Sequence, residues 1–74
     1  MQRPTWGDTI RIKGDAPTGM QPGCFAAVCG MRQIESNDQA KLFSRPLGAI
    51  ILLVEFADGR AVEIPEDLVE VANE

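Results

Sequence analysis

The stretch LGAIILLVEFADGRAVEI, Leu47 to Ile64, constrains the fold more than any other part of this 74-residue chain. Read as a strand, Leu47–Phe56 puts Ile50, Leu52, Val54 and Phe56 on one face and Ala49, Ile51 and Leu53 on the other. An Asp-Gly pair follows, and then a second alternating run from Ala61 to Ile64. Side chains alternate with a period of two, so a one-residue slip in pairing exchanges the faces completely. A two-residue turn at Asp58-Gly59 sets Val54 against Glu63 and buries that carboxylate beside Phe56. A three-residue loop, Ala57-Asp58-Gly59, sets Val54 against Val62 and Leu52 against Ile64, with Glu55, Ala61 and Glu63 outward. The second arrangement is expected. It places Gly59 in the left-handed position that closes a type I turn with a bulge.

A strand apolar on both faces needs cover on both sides. The segment IESNDQAKLFSRP offers one cover. Ser36 followed by Gln39 is a capping-box pattern, and Pro46 bars the residue before it from the helical region. A short helix over Asn37–Phe43 is expected, with Leu42 and Phe43 lying over the second face. The alternative cover is a partner protein or a second copy of the chain, the latter a homodimer through Ile51 and Leu53.

The remaining pattern is also strand-like. TIRIK (Thr9–Lys13) alternates, with Ile10 and Ile12 inward. GDAPTGMQPG (Gly14–Gly23) is a loop with several forced bends. CFAAVCGM (Cys24–Met31) reads as a second strand whose Ala26, Val28 and Gly30 share a face small enough for tight curvature. Pro-Glu-Asp-Leu after Ile64 suits a single 3₁₀ turn, because Pro65 cannot donate to a ladder. Val69–Val71 then makes a brief last strand with Glu70 turned away from the valines. The expected fold is all-β: one domain over residues 1–74, a small five-stranded SH3-like barrel with a helix between strands 2 and 3 and a 3₁₀ turn before the last strand.

No apolar run approaches the ~20 residues that cross a bilayer, and the N-terminus MQRPTWGD lacks an apolar leader. A cytoplasmic protein with no membrane contact is expected. Cys24 and Cys29 stand five positions apart, roughly 16 Å along an extended strand, too far for a disulfide. With no histidine in the chain, two thiols are too few for a zinc site, so both are expected reduced, with no metal and no cofactor.

The same absence of histidine removes the usual general acid–base group at neutral pH. Glu66, Asp67 and Glu70 lack EF-hand spacing, and the glycines form no phosphate-binding loop. Catalysis is not expected. Trp6, the lone tryptophan, is expected to plug one end of the barrel; an exposed interface anchor is the second reading. Arg11, Lys13 and Arg32 make a small basic set without interleaved exposed aromatics, a weak signal for nucleic acid.

Charge is segregated along the chain. Residues 1–45 carry six basic and four acidic side chains, residues 46–74 one basic and seven acidic. Such a field repels phosphates and favours a basic partner, although a merely solvated acidic face gives the same composition.

Two groups of motifs resemble known families. GDTIRIKGDAP with PGCFAAVCGM is similar to the opening of KOW-type and related SH3-like domains, and LVEFADGRAVEIPEDLVEV is similar to their ending. The arrangement also resembles small SH3-like immunity proteins of bacterial polymorphic-toxin systems and the β-subunit barrel of nitrile hydratases. Ala26 stands where a KOW motif carries glycine, and the ending is acidic where RNA-binding members are usually basic, so nucleic acid is not the expected partner. The resemblance implies a non-catalytic protein-binding module, most concretely an immunity-type inhibitor of a bacterial toxin. Its expected docking face is Glu55, Glu63, Glu66, Asp67 and Glu70, set against a basic protein surface. The alternative is an accessory subunit of an enzyme complex or a KOW-like nucleic-acid-associated module.

Overall fold

The computed structural model describes residues 4–72 of the chain. Five strands, β1 (Thr9–Ile12), β2 (Phe25–Gln33), β3 (Ile50–Glu55), β4 (Ala61–Pro65) and β5 (Val69–Val71), form one antiparallel sheet in the order β4-β3-β2-β1-β5. Helix α1 (Asn37–Phe43) joins β2 to β3, and 3₁₀ turns at Thr18–Met20 and Glu66–Leu68 lie before β2 and β5.

The second 3₁₀ turn forces the sheet to curl. In a flat sheet of five strands the outer two lie about 19 Å apart at ~4.8 Å per strand. Pro65 at the end of β4 reaches Val69 at the start of β5 through three residues that are wound, not extended. Such a turn covers roughly 8 Å at ~2 Å per residue. The end of β4 therefore lies near the start of β5, although the two edge strands share no ladder among the described residues.

The concave side holds the core. Ile10, Ile12, Leu52, Val54 and Ile64 are fully buried there, with Ala26, Val28, Phe56 and Val69 nearly so. The first loop closes one side of this core by burying Ala16 and tucking in Met20.

The β3–β4 hairpin takes the three-residue loop. Val54 pairs with Val62 and Leu52 with Ile64. Phe56 N–H donates to the Arg60 carbonyl at 2.8 Å, Gly59 N–H to the Phe56 carbonyl at 3.0 Å, and Gly59 has φ +89°. Glu55, Ala61 and Glu63 point outward as the parity argument requires, while Val62 is half-buried against the core.

Asp58 locks the tip. Its carboxylate accepts from the Arg60 backbone N–H at 3.1 Å and from Arg60 Nε at 2.7 Å. Those bonds, the backbone one first, hold its pKa below the ordinary 3.8. A group depressed on folding adds stability above its unfolded pKa and loses it as pH falls through the folded value. The stability difference between the wild type and Asp58→Asn should thus persist at pH 6 to 7 and fade as the pH falls below the ordinary carboxylate range. Thermal melts of both proteins across that range check the sign.

β2 departs from its expected geometry. Val28 pairs with Val54, but Gly30, not Cys29, pairs with Leu53, so Cys29 is the extra residue of a β-bulge. The bulge shifts side-chain parity by one. Ala26 and Val28 face the core, whereas Gly30 and Arg32 turn to the convex side, which corrects the expectation that Ala26, Val28 and Gly30 share one face. Cys29 is exposed at the bulge, and Cys24, outside the strand, is half-buried beside the core. Iodoacetamide should alkylate Cys29 well before Cys24 in the native protein, and mass spectrometry of timed samples should show two separated steps.

Helix α1 has the expected bounds and cap. Ser36 Oγ accepts from Gln39 N–H at 3.2 Å, and Gln39 Oε1 accepts from the Glu35 N–H at 3.0 Å. Its covering role is not as expected. Leu42 is 75% exposed and only Phe43 is half-buried. Consecutive residues of a helix point about 100° apart, and here Phe43 takes the inward direction while Leu42 turns to solvent. β3 is also shorter than expected, because Gly48 at φ +87° sits in a turn that holds Leu47 outside the strand.

Candidate interaction surface

The convex side of β2, β3 and β4 takes its character from the register. Ile51 lies between Arg32 and Pro65, Leu53 between Gly30 and Glu63, and Glu55 between Ala27 and Ala61. Arg32 and Glu63 stand on strands separated by β3, yet Arg32 Nε lies 2.6 Å from Glu63 Oε2. Their side chains therefore arch over β3. The Arg32 guanidinium also lies 5.7 Å from the centre of the Phe43 ring, a cation–π contact that ties the helix to this bridge. The bond to Glu63 is the main influence raising the Arg32 pKa.

This bridge, tied to Phe43 of the helix, lies beside Ile51 on the convex side. Ile51, directly opposite Arg32, is only 1% exposed, so of the pair considered for a homodimer only Leu53 reaches the surface, at 38%. Long cationic side chains commonly shield apolar surface with their stems while the charged head stays wet. Leu53 leans into the space that Gly30 leaves: a Cβ at position 30 would stand 3.3 Å from the Leu53 Cβ. Gly30, Met31, Arg32, Ile51, Leu53 and Glu63 together line a shallow depression.

The five carboxylates expected to form one docking face are distributed. Glu63 pairs with Arg32, Asp67 with Arg45 at 2.9 Å, and Glu70 with Arg11 at 3.9 Å. Glu66 and Asp67 occupy the second 3₁₀ turn, and Glu70 lies on β5 at the far edge of the sheet from Glu63. Glu55 is exposed between two alanines and has no ion-pair partner among the described residues. Folding thus undoes much of the linear charge segregation, since arginines of the N-terminal part are laid onto carboxylates of the C-terminal part.

Trp6 is 65% exposed and does not plug the fold. Phe25, not singled out from the sequence, is 59% exposed on β2 opposite Arg11. Alternation from the buried Ala26 was the signal that could have placed it outward. Among the described residues no three Cys, Asp or Glu side chains are grouped to hold a metal ion, and no helix is long and apolar enough to cross a membrane.

Glu63→Gln should remove the anchor of the Arg32 arch. A partly exposed ion pair of this kind contributes little and is screened by salt. The expected result is a small fall in thermal midpoint at low ionic strength that disappears near 1 M salt. A loss independent of salt would mean that the carboxylate acts through packing instead.

Comparison of the chain with family models, curated proteins and solved structures finds no match.

Proposed function

We propose that the chain is a non-catalytic protein-binding module, an SH3-like barrel whose convex β2–β3–β4 face docks a partner with a basic surface. One observation carries this reading. The face has an apolar centre at Leu53, a charged rim at Arg32, Glu63 and Glu55, and, among the described residues, no element lying over Leu53. An apolar centre within a polar rim is the usual anatomy of a protein interface. The curled order β4-β3-β2-β1-β5, the long first loop and the 3₁₀ turn before β5 support the barrel.

Within that class, an immunity-type inhibitor is the most concrete form, since such a protein acts by occupying a surface and needs no chemistry of its own. An accessory subunit of an enzyme complex uses the same face. The KOW-like nucleic-acid reading draws on Phe25 opposite Arg11, but the arginines at 11, 32, 45 and 60 are all engaged by carboxylates of this chain. Guanidinium groups already paired have less to gain from phosphate.

The test is co-expression with the products of adjacent genes, followed by purification. A stable complex is expected, together with negligible binding of double-stranded DNA or RNA near physiological salt. Tight, salt-sensitive RNA binding by the isolated protein would reverse the assignment.

A further inference from the structure

We propose that Leu53 and Glu55 read a two-point pattern in the partner: a large apolar side chain and a lysine or arginine two residues apart in an extended segment. This rests on the protein-binding reading and specifies its chemistry. Leu53 and Glu55 project from the same face of β3, about 6.7 Å apart along the strand. An extended partner segment has the same two-residue period, so side chains at positions i and i+2 meet both points together. The apolar point is ready-made. Leu53, seated over Gly30, is 38% exposed, and it lines the shallow depression together with Ile51 and the Arg32–Glu63 arch.

Charge complementarity selects the second point. The Arg32–Glu63 arch is neutral as a unit, whereas Glu55 faces only Ala27 and Ala61 across the strands. The small neighbours leave the carboxylate open to a cation from outside, in a chain of net charge −4. The same geometry disfavours a second copy of this chain, because a twofold contact about Leu53 brings together two faces that each carry Glu55 without a compensating cation.

The experiment uses the full-length chain labelled with ¹⁵N and three synthetic tripeptides, N-acetylated and C-amidated: Leu-Ser-Arg, Leu-Ser-Glu and Ser-Ser-Arg, each also in reversed order. Backbone amide shifts are followed on titration. The Leu/Arg probe in one of its two directions should move the amides of Ala27, Gly30, Leu53, Glu55 and Ala61 most. Its affinity should exceed that of the Leu/Glu and Ser/Arg probes by about two- to fivefold, the scale of one exposed charge pair. Glu55→Gln and Leu53→Ser should each remove the preference while spectral dispersion stays native, since both side chains point outward. Equal shifts from the Leu/Glu probe, shifts centred on Glu66, Asp67 and Glu70, or no shifts at all would overturn the two-point pattern. A co-purified partner that binds Leu53→Ser and Glu55→Gln as tightly as the wild type would overturn it too, while leaving the protein-binding reading intact. Probe binding as described without any protein complex would instead remove the functional reading.

Discussion

Leu52→Ala is expected to lower the thermal midpoint by roughly 12 to 24 °C. Leu52 is fully buried, paired with Met31 on one side and Ile64 on the other, in a core made mostly of aliphatic side chains. Truncating a buried leucine to alanine costs about 3 kcal/mol or more through lost burial and the cavity left behind. In a domain of this size each kcal/mol moves the midpoint by about 4 to 8 °C. The neighbouring Leu53→Ala is the control. Its side chain is 38% exposed on the opposite face, so the midpoint should move far less. Similar losses at both positions would mean that the two faces of β3 are not partitioned as described.

Gly59→Val is the second large effect, roughly 1–2 kcal/mol, because a β-branched residue tolerates the left-handed region poorly. Beyond Gly59 itself and its two chain neighbours, no atom stands within 4 Å of the position its Cβ would take, so the penalty is backbone strain and not a clash with the rest of the fold. Gly59→Asn separates the two causes, since asparagine enters that region more readily and should recover much of the loss. Denaturant melts of the three proteins give the order glycine, then asparagine, then valine. A valine variant as stable as the wild type would rule out the three-residue loop.

That loop was legible from the sequence because only one pairing of Val54, Phe56, Val62 and Ile64 keeps Glu63 out of the core. Helix α1 and the second 3₁₀ turn were legible for similarly local reasons: a serine cap with Gln39, and a proline that cannot donate to a ladder. The bulge at Cys29 was not. One extra residue in a run of small side chains leaves no compositional trace, yet it moved Gly30 and Arg32 to the convex face, where Arg32 stands opposite Ile51.

The candidate surface was only partly legible for the same reason. Outward placement of Glu55 and Glu63 followed from parity, but the pairing of Glu63, Asp67 and Glu70 with arginines 22 to 59 positions away depends on how the sheet curls. The two carboxylates are unlike in their surroundings: Glu63 is engaged by Arg32, whereas Glu55 has no ion-pair partner among the described residues. Trp6 and Leu42 failed for a different reason. An apolar residue near a strand or on a short helix is not bound to be buried, and both are exposed.

The central claim, that this face docks a basic protein surface, is tested most directly by the association rate constant of the Glu55→Gln/Glu63→Gln protein with the co-purified partner, measured against the wild type at low and at physiological salt. Complementary charge acts mainly on the rate of encounter and is weakened by salt. The account predicts a several-fold slower association of the variant at low salt, a gap that narrows at physiological salt, and little change in thermal midpoint. Identical association rates at both salt concentrations would contradict it and leave these carboxylates as a solvated face.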